Sequence, residues 1–320
     1  MLDWTIIADD LTGAADCAAA FAQRGYSSII WLHPNAAAEP CDVPVMETAS
    51  RHVSPEEAYR RVYSVASKAK GHLFKKLDST LHGNLGPEIK AVRDAAGGRE
   101  VLIIPSHPVM GRTMKDGVLY LHGEPTSKHL PTILREQGLT EGYRVADCTA
   151  VQDLDQIVSD LLATPGRHVV AGAGALAEAL ALSVGGRVPR PAGDPQIAPK
   201  LVIIAGSNNP TTKAQLTHLK STPAPPDILP LDRNDQSNRT LLATILPYDA
   251  LLICGGDTAR AVAKFLNAKG IRIQGEAARG VPYGTWVGGA AHGKPVATKA
   301  GGFGQPDTLI EAVHFLRRPV

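Results

Sequence analysis

The sequence predicts an α/β fold of two domains, each with a largely parallel sheet flanked by helices, and a site in the interdomain cleft. Three observations lead there. Short apolar runs alternate with helical patterns along the chain, the signature of βαβ units. One stretch rich in Pro and Gly divides the series. Gly, Asp, Ser and Lys gather just after the apolar runs, where open α/β sheets place their ligand sites.

The run at 5–8 reads as a buried strand, followed by a loop and a helix over 12–24. Runs at 28–32 and 43–47 are the next strands. Ser54-Pro55-Glu56-Glu57 then opens a helix, with Ser54 as N-cap, Pro55 in the first turn and Glu57 closing a capping box. Strands follow at 73–77, 101–104 and 168–171, with helices at 87–96, 154–163 and 176–184. Residues 185–199 hold four prolines and three glycines, which excludes regular structure. They mark the linker between a first domain, 1–188, and a second, 189–320. Beyond it, strands are expected at 201–205, 251–254 and 295–298, and helices at 211–220, 259–269 and 308–317.

Composition removes several function classes. The 320 residues are 44% hydrophobic and 20% charged, ordinary globular values. A net charge of +2, with no run of more than two Lys or Arg, argues against nucleic acid. Cys17, Cys41, Cys148 and Cys254 lie far apart without a CxxC pair, so a zinc site or disulfide framework is not expected. No stretch approaches the roughly 20 apolar residues of a membrane span. The first ten residues carry acids where a signal peptide needs basic residues. A soluble, cytoplasmic protein is expected.

The loops after the strands carry the chemistry. In IADDLTGAA, Asp9 and Asp10 are adjacent at a strand end, so one can face the cleft while the other orients a neighbour or caps the helix. Which does which stays open. In FKKLDSTLHGN, Lys75 and Lys76 offer point charges for a carboxylate or phosphate, and Asp78 and Ser79 suit hydroxyls. Arg51 is positioned for a bidentate carboxylate clamp. Gly111 and Arg112, with His107 nearby, form another loop after a strand. The second half holds three glycine loops, AGSNNPT, CGGDTAR and TKAGGFGQP, each before a helix. Glycines let backbone N–H groups approach phosphate oxygens, and helix N-termini favour their charge. Lys299 would neutralise a phosphate there, and Asp257 would hold Mg²⁺ or a ribose hydroxyl. There is no GxxxxGK[ST], no HRD or DFG set and no GxGxxG after a strand.

Together the motifs resemble one family. IADDLTGAAD, TASR, KKLDSTLHGN and PVMGRTMKDGVLYLHG resemble the N-terminal domain of four-carbon acid sugar kinases. AGSNNPTTKAQ, CGGDTARAV, GVPYG and TKAGGFGQPDTL resemble their nucleotide-binding C-terminal domain. The resemblance implies ATP-dependent phosphorylation of the terminal hydroxyl of a threonate, erythronate or 3-oxo-tetronate type of acid, with Mg²⁺ accompanying ATP. It assigns the acid to Asp9, Asp10, Arg51, Lys75, Lys76, Asp78 and Ser79, and catalysis to Asp9 or Asp10 with Lys76. ATP falls to Ser207, Gly255, Gly256, Asp257, Thr258, Lys299, Gly301, Gly302 and Gly304. The chain departs from the family at His82, where members usually carry Arg. The expected partners are these two small molecules, with no membrane or nucleic acid; a homo-oligomer stays open. Two rivals are a non-catalytic sensor of acid and nucleotide, and an isomerase or aldolase acting on a phosphorylated acid.

Overall fold

A computed structural model of the chain describes residues 2–33, 39–164, 166–185, 200–231 and 248–317. The linker expected at 185–199 lies outside them except for Gly185. The first part runs β1 (Trp4–Ala8), α1 (Leu11–Ala22), β2 (Ser28–Trp31), β3 (Val43–Glu47) and α2 (Pro55–Ala66). It continues with β4 (His72–Lys76), α3 (Leu85–Ala95) and β5 (Val101–Ile104). Each of these apolar runs is a strand because both its faces are covered. In β1, Ile6 packs into a core on one face of the sheet and Ile7 into the core on the other.

Next comes a part that the periodicity does not reveal. β6 (Arg112–Lys115), β7 (Val118–Leu121) and β8 (Glu124–His129) form a separate antiparallel sheet, leading into α4 (Leu130–Glu136). β8 has no buried residue, so it lacks the apolar run by which strands announce themselves. β9 (Tyr143–Val145), α5 (Val151–Ala163), β10 (Val169–Gly172) and α6 (Gly174–Ser183) complete the first half.

The second half comprises β11 (Leu201–Ala205), α7 (Pro210–Lys220), β12 (Asp227–Pro230), β13 (Ala250–Cys254) and α8 (Gly256–Phe265). A long hairpin of β14 (Gly270–Ala278) and β15 (Val281–Val287), then β16 (Pro295–Lys299) and α9 (Thr308–Leu316), follows. The hairpin was not expected either. Its register shifts after Ile273 and again after Glu276, which breaks a simple alternation.

Among the described residues the two halves share one sheet of thirteen strands, ordered β12-β11-β13-β16-β15-β14-β2-β3-β1-β4-β10-β5-β9. The seam is β14 against β2, antiparallel from Gly270 opposite Trp31 to Ile273 opposite Ser28. One hydrophobic core also runs across it, joining Ile6, Val45 and Phe74 to Val202, Ile253 and Val262. α1 lies in this core with ten of its twelve residues buried, its alanines allowing close approach to α6, α8 and β14.

Two local expectations change in detail. Ser54 caps α2 by accepting the Glu57 N–H at 3.3 Å. The Glu57 carboxylate does not return to the cap; it binds Arg60 and Arg61 at 2.7 and 2.6 Å, so only half of the capping box forms. All four cysteines are free and buried. Among the described residues, no helix is long and apolar enough to cross a membrane.

Candidate active site

At the C-terminal ends of β1, β4, β11, β13 and β16 the chain encloses a cavity of about 680 Å³. Strand alternation decides which residues reach it. Asp10 leaves β1 extended and caps α1, its Oδ1 accepting the Gly13 N–H at 2.9 Å, while its carboxylate also lines the cavity. Asp9 turns inward and is buried. The helix cap and the cavity-facing acid are therefore one residue.

Arg51, carried past the end of β3, binds both carboxylates. Its Nε and Nη2 donate to Asp9 at 2.6 and 3.0 Å, and its Nη1 and Nη2 to Asp10 at 3.0 and 3.1 Å. A guanidinium has five N–H bonds, so Arg51 retains one. The free bidentate clamp expected from the sequence is closed on the chain's own acids. Burial opposes ionisation of Asp9, but the charges of Lys75 and Arg51 outweigh it and hold its pKa down. For Asp10 burial prevails: with Asp9 adding repulsion, it lifts the pKa above the ordinary value against the pull of Arg51.

Lys75 and Lys76 part in the same way. Lys75 is fully buried beneath the site and pairs with Glu88 of α3 at 2.8 Å, so it does not line the cavity. Lys76 does, with Nζ donating to the Leu77 carbonyl at 2.9 Å. Burial works against its charge, yet the surrounding Cys17, Asp16, Asp10 and Asp9 raise its pKa. Asp78 lines the cavity, fastened by Thr80 at 2.5 Å and by His82 Nδ1 at 2.8 Å. Burial disfavours its charge, but these hydrogen bonds and Arg51 bring its pKa down to about 2. Lys128 of β8 braces this turn from outside, bonding the Thr80 carbonyl and His82 Nε2. Ser79 also lines the cavity and accepts from Arg112 of β6 at 2.5 Å.

The opposite wall is built from the glycine loops. Gly255, with φ +112°, is the N-cap of α8 and has no side chain of its own to cap the helix, so the positive end of α8 is presented through bare backbone. A Cβ on Gly256 would lie 2.6 Å from Thr12 Oγ1 and 3.5 Å from Asp10 Oδ2. The α8 N-terminus thus abuts the acid of the first half. Ser207, Asp257, Gly301 and Gly302 line the same wall. A Cβ on Gly301 would collide with Ser207 Oγ, and one on Gly302 would come within 3.1 Å of Asn209 Nδ2. These are cradles that glycine keeps clear.

Three expected residues stand behind this wall instead. Lys299 is buried and donates to the carbonyls of Ala300 and Phe303 at 2.6 and 2.9 Å, shaping the loop from beneath. Burial lowers its pKa, Cys254 opposing. Thr258 is fully buried, with Oγ1 unpartnered, under Gly206 and Gly255. Gly304, at φ +96°, turns the chain toward α9 and does not line the cavity.

The sequence did not single out Asp16, Glu178, Glu276 or Arg279, which also line the cavity. Asp16 is exposed to the cavity, yet desolvation in the recess raises its carboxyl to about 7, with Lys76 opposing and Asp10 reinforcing. Its spacing of four residues from Thr12 was the available signal, but a helix of alanines does not show which face is which.

Fold and site together define an α/β protein with glycine-lined helix ends opposed to a carboxylate pair across one cavity. Comparison with known proteins agrees. Residues 4–130 match a sugar-binding N-terminal domain and residues 234–309 a nucleotide-binding C-terminal domain. A D-threonate kinase of Bordetella bronchiseptica is 29% identical over 98% of this chain and 97% of its own. A D-erythronate kinase of Heliobacterium modesticaldum is 27% identical over 99% and 97%. A Salmonella typhimurium LT2 structure described as a putative tRNA synthase superposes with a TM-score of 0.79, covering 98% of this chain and 99% of that one. At 19% identity that likeness concerns the fold alone. The chain belongs to the four-carbon acid sugar kinase family.

Proposed function

We propose that the protein transfers the γ-phosphoryl group of ATP to the terminal hydroxyl of a four-carbon sugar acid of the threonate or erythronate type. One observation carries the reading: the glycine-capped N-terminus of α8 and the Asp10 carboxylate meet across a single cavity. Phosphoryl transfer needs a nucleophile held in line and charge neutralised, and little covalent chemistry. The first half suits the acid and the second the nucleotide, with residues 186–199 as the connection.

Asp10 is the proposed base. It faces the cavity, and its raised pKa brings its basicity toward the working range. Asp9, held anionic out of contact, aligns Arg51 and through it Asp10. Two adjacent carboxylates driven apart in pKa is the pattern of an acid–base assignment. Lys76 offsets charge on the transferring group, while Asp78 and Ser79 receive substrate hydroxyls. On the other wall, the amides of α8 and of the Gly301–Gly302 turn hold the phosphates, with Ser207 beside them. Lys299 keeps that turn in shape.

ATP brings the phosphoryl group, and Mg²⁺ bound to it would add cationic neutralisation. Among the described residues, no group of three or more His, Cys, Asp or Glu is gathered as a metal cage. Of the carboxylates that line the cavity, Asp257 stands on the nucleotide wall with Asp10 across from it, and these would face such an ion.

An assay of ADP release against a panel of four-carbon acids tests the proposal. Release that depends on one acid is expected. Binding of acid and nucleotide without ADP release would instead establish the sensor reading.

A further inference from the structure

The proposed substrate carries a carboxylate, and most cations near the cavity already have partners. Arg51 is closed on Asp9 and Asp10, Lys75 on Glu88, and Arg260 on Glu47. Lys76 is enclosed by Asp16, Asp10 and Asp9, and Arg279, exposed at the turn between β14 and β15, lies in the field of Glu178 and Glu276. Arg112 differs. It lines the cavity, and among the described residues no carboxylate pairs with it.

Its one side-chain bond runs from Nη1 to Ser79 Oγ at 2.5 Å, leaving four of its five N–H bonds uncommitted. The backbone fixes its position: Arg112 and His107 exchange hydrogen bonds at 2.7 and 3.2 Å around a turn closed by Gly111 at φ +65°. His107 adds no competing charge. Burial, then the charges of Arg112 and Lys76, hold its pKa at about 4, so the ring is neutral near pH 7.

We infer that Arg112, braced by Ser79, reads the carboxylate of the substrate, and that the small β6–β8 sheet exists to present it. The inference rests on the kinase reading. A guanidinium aimed into a partly desolvated cavity matches a carboxylate in a bidentate fork. The substrate would then span the first half, its carboxylate at Arg112, its hydroxyls at Asp78 and Ser79, and its terminal hydroxyl at Asp10.

The test compares a four-carbon acid with the uncharged polyol of the same configuration, in wild type and Arg112→Gln. Wild type should prefer the acid strongly. Arg112→Gln should raise KM for the acid roughly 10- to 100-fold, leave KM for ATP in place, and erase most of the preference. Arg112→Lys, which keeps the charge but loses the fork, should fall between. A folded Arg112→Gln that retains the acid-to-polyol ratio overturns the inference, as does an equal rise in both KM values. If wild type releases no ADP with any acid, the kinase reading fails separately. Calorimetric titration with the acid alone then decides: loss of binding only in Arg112→Gln supports the role, and equal binding, or none to either protein, overturns it.

Discussion

Asp10 holds two tasks that a substitution can separate. Asn caps a helix about as well as Asp, so Asp10→Asn should keep the Gly13 bond and change the melting temperature little. It cannot accept the substrate's proton, so turnover should fall by roughly two orders of magnitude or more. Asp9→Asn reverses the pattern. It leaves Arg51 and Lys75 without their shared buried anion, at a cost of about 3 kcal/mol or more. A base must be deprotonated, so kcat/KM should climb with pH through the Asp10 pKa, which lies above the ordinary carboxylate value. Asp10→Asn should abolish that limb. Turnover, melting temperature and the pH profile of both variants check this; near-normal turnover in Asp10→Asn would move the base to Asp78.

At the scale of the element, the glycine loops make separable demands. Gly302 has no positive φ, and a Cβ there meets only the end of Asn209. Gly302→Val should therefore fold and weaken nucleotide binding by obstructing the approach of phosphate. Titration with a non-hydrolysable ATP analogue measures it, and unchanged affinity would remove the turn from the site. The strands ending at these loops were legible because covered strands must be apolar, and the division of Lys75 from Lys76 is what alternation dictates. Two things were hidden. The polar β8 and the bulged β14 carry no clean period. The closure of Arg51 on Asp9 and Asp10 arises because β3 and β1 pair in parallel and end side by side, a contact across forty residues that no local pattern records. Lys299 misled for a related reason: a lysine before a glycine turn suits a phosphate equally well whether it faces the ligand or the loop's own carbonyls.

The whole molecule is tied by more than its linker. The β2–β14 seam, the core that continues on one face across it and the Glu47–Arg260 pair between β3 and α8 all cross from one half to the other. Unfolding should accordingly be one transition, and nucleotide bound to the second half should protect the first. At 100 times its dissociation constant, a ligand adds about 2.7 kcal/mol. Hydrogen exchange in β1 and in β11 should slow together; protection confined to β11 would show that the halves open independently. The seam has another consequence. Two separate sheets would expose four edge strands, each able to template pairing with another chain. Joined, the large sheet has two among the described residues, β12 and β9, of four and three residues, one ending in Pro230 and the other carrying the exposed Arg144. Short edges bearing proline or charge are poor templates, so the seam that unites the halves also shields the chain from aggregation through its sheet.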